Sequence, residues 1–294
     1  MIITAAGAAN LQTAPISVDG FLIGGEDPDV RLTYTGLTGW WEGSPFRDRI
    51  ADRAGGDGGY DARPYRSPRT IVVTGQARAD RRGLVAAMLQ RLAAIQSDGA
   101  LGLFTVDDPD LGVLSARVRP TGTPQTDASQ LGAGFARWQV AFKSADWRKY
   151  AASVALTAGL RTQGEGLTYP LVYPLTYGAA GSGGRVEFTN SGTAATEPVI
   201  TVSGPLAAGF EVTHVETGRR LRYVAPVGSD IVLDCGEGTC TSQGQERAAN
   251  LVVREWFSVA AGATATFALA TLGGETAASA PTVAMSVQLA SAYT

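Results

Sequence analysis

The stretch that decides the fold of the second half of the chain is residues 185–206, RVEFTNSGTAATEPVITVSGPL. Apolar and polar side chains alternate in its first five residues, and a second alternating run begins after Pro198. Alternation of this kind is typical of β-strands with one buried face. Turn-forming residues separate and end the two runs, as Asn190-Ser191-Gly192 and Gly204-Pro205. The stretch therefore predicts two short strands joined by a polar connection.

The same alternation continues towards the end of the chain without a helical period. Residues 210–215, FEVTHV, and 264–269, TATFAL, are examples, and turn residues such as Thr217-Gly218 fall between the runs. Roughly eight short strands at close spacing are typical of an antiparallel β-sandwich. We therefore expect residues 185–294 to form such a sandwich.

The first half combines strands with one helix. Residues 69–78 and 137–143 alternate, and Leu101, Leu103 and Thr105 form a further short run. Between them, apolar residues at helical spacing predict an amphipathic helix over about residues 80–97, capped by Asp80 and stopped by Asp98-Gly99. We expect residues 1–150 to form a β-unit whose open face this helix covers. The apolar stripe of the helix consists of Leu84, Val85, Met88, Leu89, Leu92 and Ile95.

Residues 43–68 are rich in Gly, Arg, Asp and Pro and nearly free of aliphatic side chains. This composition predicts a long loop, which in a compact domain either has a function or a partner, or is a mobile surface loop. Trp40-Trp41 directly precede the loop. Because neighbouring side chains of a strand point to opposite faces, we expect one of these tryptophans to pack outside its own sheet.

Residues 151–184 are predicted to be an extended connector that separates two domains. Tyr169-Pro170-Leu171 is repeated four residues later as Tyr173-Pro174-Leu175, and a Gly-rich segment follows. Each proline removes a ladder donor and favours an extended predecessor.

Composition excludes several classes of function. The net charge of −3 gives no basic face of the kind that nucleic-acid binding needs. We expect no membrane segment, since no apolar run approaches the ~20 residues that a spanning helix requires. The beginning, MIITAAGAANLQ, has no basic region followed by an apolar core, so we expect no signal peptide.

Few residues could carry chemistry. His214 is the only histidine, and it lies on the inward face of a predicted strand, so we expect it to be packed rather than catalytic. Cys235 and Cys240 with one histidine do not provide four zinc ligands; the two thiols either form a disulfide across a hairpin or stay reduced. We therefore predict no catalytic, cofactor-binding or metal-binding residues, and no enzymatic activity.

Two further patterns resemble binding motifs without completing them. Asp107, Asp108 and Asp110 lack the glycine and the distal glutamate of a calcium loop, and are better explained as a turn. The glycines at 178, 181, 183 and 184 are not followed by a helix or by Lys-Ser/Thr, so a phosphate loop is not expected.

The order of several motifs resembles that of siphophage distal tail proteins, in particular those of phages of actinobacteria. The string F-x-N-x-G-x-A-x-x-x-P-x-I-x-x-x-G-P at 188–205 is similar to the opening of their C-terminal β-sandwich. Residues 145–150, ADWRKY, are similar to the D-P-R-x-Y end of their N-terminal domain, with Trp147 in place of the proline. Further similar elements are Arg69-Thr70-Ile71 with Gly75, the single helix, the Tyr-Pro-Leu connector, Thr217-Gly218 and Leu233-Asp234.

This resemblance implies a mainly β fold: an N-terminal split β-barrel with one α-helix, related to tail-tube subunits, and a C-terminal galectin-like antiparallel sandwich. It also implies a structural virion protein that assembles in the bacterial host cytoplasm. Six copies would form a ring at the tail tip, joining the tail tube protein to the hub protein and other minor tail proteins. A neighbouring minor tail ring built from the same two domains remains an alternative. Such a ring needs contacts between subunits, which we expect at residues 43–68 and at Trp40-Trp41.

A carbohydrate-binding module used in host adsorption is the alternative function, because galectin-like sandwiches bind sugars elsewhere. The candidate stacking residues are Tyr223, Trp256 and Phe257. A hydrolase is not favoured, since the chain shows no nucleophile motif and no spacing that singles out a pair of carboxylates.

Overall fold

The computed structural model describes residues 15–23, 31–161 and 183–294. The chain divides into two compact units, Met1–Ala152 with Tyr293–Thr294, and Ser153–Ala292. We call them the first and the second unit. Each has its own hydrophobic core.

The first unit contains thirteen strands and one α-helix among its described residues up to Ala152. The elements are β1 Ile16–Val18, β2 Phe21–Ile23, β3 Arg31–Thr38, β4 Phe46–Arg47, β5 Ala51–Asp52, β6 Gly59–Tyr60, β7 Tyr65–Arg66, β8 Arg69–Arg78, α1 Arg82–Ala94, β9 Gly102–Asp108, β10 Gly112–Pro120, β11 Gln125–Asp127, β12 Phe135–Ser144 and β13 Lys149–Tyr150, with a 3₁₀ turn at Leu131–Ala133.

These strands form two joined antiparallel sheets. One antiparallel sheet has the order β2-β1-β9-β10, and the other has the order β12-β8-β3. They are joined where the end of β10 pairs with β12, at Arg119–Lys143 and Pro120–Phe142. Between the described residues no ladder connects β2 to β3, so the path stays open rather than closing into a barrel. Helix α1 packs on β8 and β12.

Strand alternation places the core residues as expected on β8 and β12, where Ile71, Val73, Val140 and Phe142 are buried. The short run at the start of β9 is different, since Leu103 and its neighbour Leu101 are exposed. The register of β9 instead turns Phe104 inward, opposite Val18 of β1. The Phe104 ring lies 5.2 Å from that of Trp40 and 5.6 Å from that of Phe142. This aromatic cluster decides which face of β9 is buried.

Helix α1 is shorter than predicted at both ends. Its apolar stripe is correct, because Val85, Met88 and Leu92 are buried. The predicted cap is wrong: Arg81 occupies the N-cap position and no side chain caps the helix. The helix ends at Ala94, and Gln96 adopts a positive φ of 51° three residues before Gly99. The Gln96 amide donates to Asp19 Oδ2 at 2.8 Å, which anchors this early turn on the β1–β2 connection.

The second unit is a sandwich of two antiparallel sheets, as predicted. One has the order β14-β24-β16-β19-β20-β21, and the other has the order β15-β23-β17-β18-β22. The strands are β14 Val154–Gly159, β15 Arg185–Thr189, β16 Val199–Ser203, β17 Phe210–His214, β18 Arg219–Tyr223, β19 Ile231–Asp234, β20 Thr239–Ser242, β21 Gln245–Glu246, β22 Leu251–Arg254, β23 Thr264–Thr271 and β24 Ala284–Leu289, with a 3₁₀ turn at Ala248–Asn250. The last strand of the chain, β25 at Ala292–Tyr293, is in neither sheet of the sandwich and pairs with β13.

The opening stretch of the sandwich crosses from one sheet to the other. Its two predicted strands are β15 and β16, and they pair with β23 and β24 respectively. The polar connection between them therefore bridges the sandwich and does not form a hairpin. Its buried Asn190 holds this bridge in place.

The predicted connector begins with regular structure. Val154–Gly159, inside the range 151–184, is strand β14 and pairs along its whole length with β24. The Tyr-Pro-Leu repeat and the glycines at 178 and 181 lie outside the described residues. The domain limits at 150 and 185 stay a prediction.

Residues 43–68 are more regular than their composition predicts. Strands β4 and β7 pair near the two ends of the segment, and β5 and β6 pair further out. We call residues 43–68 the arm, the part around β4 and β7 its root, and the part from β5 to β6 its tip.

Candidate functional site: the arm and its root

Large apolar side chains are exposed along the arm. Phe46 is 56% exposed, Ile50 59%, Tyr60 65% and Tyr65 50%. In the root ladder Phe46 lies opposite Arg66, and Arg47 lies opposite Tyr65. Because successive side chains alternate between faces, Phe46 and Tyr65 point to opposite faces of the arm. Both faces therefore present an aromatic ring to solvent.

Arginines lie over these rings. The Arg66 guanidinium lies 4.0 Å from the centre of the Phe46 ring, that of Arg53 lies 5.4 Å from Tyr60, and that of Arg49 lies 5.5 Å from Tyr65. Such cation–π pairs hold an exposed hairpin together where aliphatic packing is missing. Arginine and aromatic residues are also enriched at the centres of protein interfaces. This composition suits the arm to contact another protein.

The root of the arm is organised by Arg69, which follows the arm and is only 1% exposed. Its guanidinium donates five hydrogen bonds, to the carbonyl oxygens of Gly39, Trp40 and Glu42, and twice to that of Trp147. Burial lowers the pKa of Arg69, and the nearby Glu42 carboxylate acts in the opposite direction. Since an arginine stays protonated in proteins, this side chain is a buried cation held by backbone carbonyls.

A second buried cation, Lys149, donates to one of the carbonyl oxygens that Arg69 also contacts. Its Nζ donates to the Trp40 carbonyl oxygen at 2.9 Å and lies 5.3 Å and 5.5 Å from the ring centres of Trp40 and Trp41. Burial, assisted by the charge of Arg69, lowers the pKa of Lys149 to about 8, while Glu42 acts against this shift. The ring faces also favour the charged form.

Trp40 and Trp41 cannot both contact a neighbouring subunit of the expected hexamer. Trp40 is fully buried in the core of the first unit, so the prediction that it contacts a neighbouring subunit is wrong. The reason is the aromatic cluster with Phe104, which encloses the indole. Trp41 is half-buried and packs at the edge of the same core.

Residues 145–150, ADWRKY, contact the root of the arm. Burial would raise the pKa of Asp146, but hydrogen bonds from Arg148 and Tyr150 outweigh it and lower the pKa. The Tyr150 hydroxyl donates to Asp146 Oδ2 at 2.6 Å. This fixes the turn that presents the Trp147 carbonyl to Arg69. The Trp147 ring also receives the Arg66 guanidinium at 5.5 Å.

The remaining candidate residues serve the structure of the two units. His214 is 4% exposed, lies 2.7 Å from the Thr217 hydroxyl through Nδ1, and packs against the rings of Phe257 and Phe267. Burial lowers its pKa, and Glu216 acts in the opposite direction. At the end of β9, Asp108 Oδ1 accepts the backbone N–H groups of Asp110 and Leu111 at 2.8 Å, which is the predicted turn.

Cys235 and Cys240 are both free and buried. Burial raises the pKa of the Cys235 thiol to about 12 and that of Cys240 to about 11. Thiols of this kind are poor nucleophiles and poor metal ligands at neutral pH.

Within the described residues, no group of three or more His, Cys, Asp or Glu side chains could hold a metal ion. In the same part of the chain, no helix has the length and hydropathy needed to cross a membrane.

The structure does not bring the candidate sugar-stacking residues together on a surface. Tyr223 and Phe257 are each 3% exposed and belong to the core of the second unit. Trp256 is half-buried beside them. Alternation puts Tyr223 on the inner face of β18, so its ring has no free face for a sugar.

No protein-family model matches the chain, and neither does any curated protein. Solved structures do match. The crystal structure of SPP1 Dit, a paradigm of hub adsorption apparatus in Gram-positive infecting phages, has a TM-score of 0.65 and 13% sequence identity. The match covers 96% of this chain and 99% of that one.

The chain has the fold of a phage distal tail protein. Both units take part in the match to SPP1 Dit, since it extends over nearly the whole of each chain. The phage P2 baseplate in its activated conformation matches with a TM-score of 0.49 and 10% identity, over 94% of this chain and 97% of that one. At such low identity the likeness concerns the fold, and the distal tail fold in this chain is built from different residues.

Proposed function

We propose that this chain is a structural virion protein that forms a hexameric ring at the distal end of a siphophage tail. The observation that carries the proposal is the match to SPP1 Dit over both units and nearly the full length of both chains. A likeness confined to the sandwich would fit many proteins, whereas the combination of a split barrel with one helix and a sandwich is far more restrictive. The protein would join the tail tube to the tail-tip hub and the adsorption apparatus, without catalysis.

The arm supports the assembly part of this proposal. A subunit of a closed ring needs a heterologous contact, in which a projecting surface of one copy meets a different surface of the next. The arm projects as paired strands with Phe46 and Tyr65 exposed on opposite faces. Its partner would be a second copy of this chain; the tail tube, hub and other minor tail proteins would contact other surfaces of the ring.

Electron microscopy of the purified full chain tests the proposal. We expect negative-stain images to show rings with sixfold symmetry, and labelled protein to locate at the tail tip of particles. Deletion of residues 55–59, at the tip of the arm, should abolish the rings while thermal unfolding stays unchanged. A chain that is monomeric at high concentration and absent from virions would refute the function, and intact rings after the deletion would refute the role of the arm.

A further inference from the structure

We propose that Arg69 is a positioning residue that fixes the direction in which the arm leaves the core of the first unit. The arm would then be presented in its binding conformation before any partner is present. The use of the arm between subunits rests on the proposed function above. The positioning by Arg69 does not, because it concerns contacts within one chain.

The bonds of Arg69 connect both ends of the arm to a third segment. Arg69 itself follows the arm directly in sequence, and its guanidinium holds the carbonyls of Gly39, Trp40 and Glu42, which precede the arm. The same guanidinium holds Trp147, which comes more than seventy residues later. One planar side chain thus fixes three backbone segments relative to one another.

Arg66 and Ser44 add a second set of bonds at the root. The Arg66 guanidinium donates to the Ser44 carbonyl at 2.7 Å and lies over the rings of Phe46 and Trp147. The Ser44 hydroxyl, from a residue that is 3% exposed, donates to the Trp147 carbonyl at 3.4 Å. The backbone N–H of Ser67 donates to the Pro45 carbonyl at 2.8 Å and closes the root ladder. Two of these contacts, from the Ser44 hydroxyl and the Arg66 guanidinium, reach Trp147, which Arg69 also holds.

The tip of the arm is held differently. Its ladder pairs only Ala51 with Tyr60 and Asp52 with Gly59, and the Arg53 N–H donates to the Gly58 carbonyl at 3.1 Å. These bonds stay within the arm, so they shape the tip without aiming it. The direction of the tip therefore depends on the root and on the residues between them, where the Arg49 guanidinium lies over the ring of Tyr65 in the root.

A lysine cannot replace Arg69 in this role. The guanidinium is a planar fork whose separate N–H groups reach carbonyls on two sides, while an ammonium group is a single point donor. Arg69→Lys keeps the charge and most of the volume but loses the simultaneous hold on Glu42 and Trp147. Lys149, which already bonds the Trp40 carbonyl, would remain in place.

Distances between two spin labels test the proposal directly. Gly56→Cys at the tip and Gly83→Cys on α1 are suitable label sites, because a Cβ added at either position meets nothing within 4 Å. The native thiols Cys235 and Cys240 are buried and stay unlabelled. Pulsed electron paramagnetic resonance would be recorded on doubly labelled full chain diluted in unlabelled chain, so that only distances within one chain contribute.

We expect a single narrow distance distribution in the protein with native Arg69, and loss of that narrow peak in Arg69→Lys. The matched control is Arg47→Lys, which makes the same exchange at an exposed position of the root. It should leave the distribution narrow. Circular dichroism and thermal unfolding of each variant show whether the first unit is folded at the temperature of the measurement.

Two results would overturn the inference. One is a distribution in folded Arg69→Lys that is as narrow as that of the native protein. The other is a broad distribution already present with native Arg69. Neither result depends on ring formation, so a chain that forms no rings can still confirm the positioning role. Conversely, rings built from folded Arg69→Lys with an unchanged distribution would refute the positioning role and leave the proposed function intact.

Discussion

At the scale of single residues, Asn190 shows how one buried amide can hold several loops. It is fully buried, and its Nδ2 donates to the carbonyls of Ala194 and Val259 at 2.8 and 3.2 Å. Its Oδ1 accepts the backbone N–H groups of Gly192 and Ala292 at 3.1 and 3.3 Å. The amide thus supplies partners to buried backbone groups where the chain crosses between the two sheets of the sandwich.

Asn190→Ala should lower the free energy of unfolding of the second unit by about 3 kcal/mol, because it leaves several buried backbone groups without partners. Asn250→Ala is the control. The Asn250 amide donates to the Tyr223 hydroxyl at 3.2 Å, and its loss should cost about 1 kcal/mol. Urea unfolding followed by intrinsic fluorescence measures both, and equal effects would contradict the role we assign to Asn190.

Lys149 gives a prediction about pH. Its pKa is lowered from 10.5 to about 8 in the folded protein. Between these values the unfolded chain binds more protons than the folded one, so the folded state gains stability as pH rises from 8 towards 10.5. Lys149→Met lacks this gain. The difference in unfolding free energy between native protein and variant should therefore grow in favour of the native protein by up to about 1.4 kcal/mol per pH unit.

Urea unfolding at pH 7.5, 8.5 and 9.5 measures this difference for Lys149→Met. Lys143→Met, which removes an exposed lysine of β12, is the matched control. Titration of tyrosines and thiols affects the variants equally and cancels in the comparison. A difference that stays constant over this range would show that the ammonium is no less favoured in the folded state than in the unfolded one.

At the scale of elements, the sequence predicted strands best where the alternation of buried and exposed side chains alone determines which face is buried. The alternation of apolar and polar residues located β8, β12 and the sandwich strands β15, β16, β17 and β23, because each of these buries one face against a core. It failed on β9, where Leu103 is exposed and Phe104 is buried. The choice there depends on Trp40 and Phe142, which are distant in sequence. Local pattern also missed the ends of α1, since the contact from Gln96 to Asp19 sets one of them.

The arm was predicted as a loop because its strands lack aliphatic alternation. Its ladders are held by arginines over aromatic rings and by bonds to backbone carbonyls, and neither has a periodic signature. The burial of Arg69 could not be read from its neighbours either, since the carbonyls that hold it belong to Gly39, Trp40, Glu42 and Trp147. The pairing of arginine with aromatic residues in 43–68 was the one signal available.

Substitution of Gly39 tests whether close backbone packing constrains the turn between β3 and the root. Its φ is +77°, and an added Cβ would lie 1.8 Å from the Thr70 carbonyl oxygen. Gly39→Ala must therefore move backbone as well as strain φ, and should cost more than about 2 kcal/mol of unfolding free energy. Gly122→Ala, with φ +69° and nothing within 4 Å, carries the strain alone.

We expect Gly122→Ala to cost about 1 kcal/mol, the usual penalty for a positive φ. Thermal unfolding of both variants makes the comparison. If Gly39→Ala were no more destabilising than Gly122→Ala, the close approach to Thr70 would not constrain the root.

At the scale of the whole molecule, the proposed ring should be driven by apolar contact rather than by charge. The net charge of −3 over 294 residues is small, so long-range repulsion between copies is weak. The exposed aromatic side chains of the arm then supply the contact area. Truncating large side chains at the centre of an interface is where the greatest loss of binding is expected.

The double variant Phe46→Ser, Tyr60→Ser should therefore shift the full chain from rings to monomers with little change in its thermal unfolding, since these side chains are 56% and 65% exposed and their cation–π partners Arg66 and Arg53 belong to the arm and not to the core. Val252→Ser is the matched control, because Val252 is 58% exposed but lies on β22 of the second unit. Mass photometry over a series of concentrations measures the assembly of all three proteins. If the double variant and Val252→Ser weaken the rings equally, the arm is not the contact. If the double variant assembles as the native chain does, the apolar side chains of the arm do not drive assembly, and the subunits must meet through other surfaces.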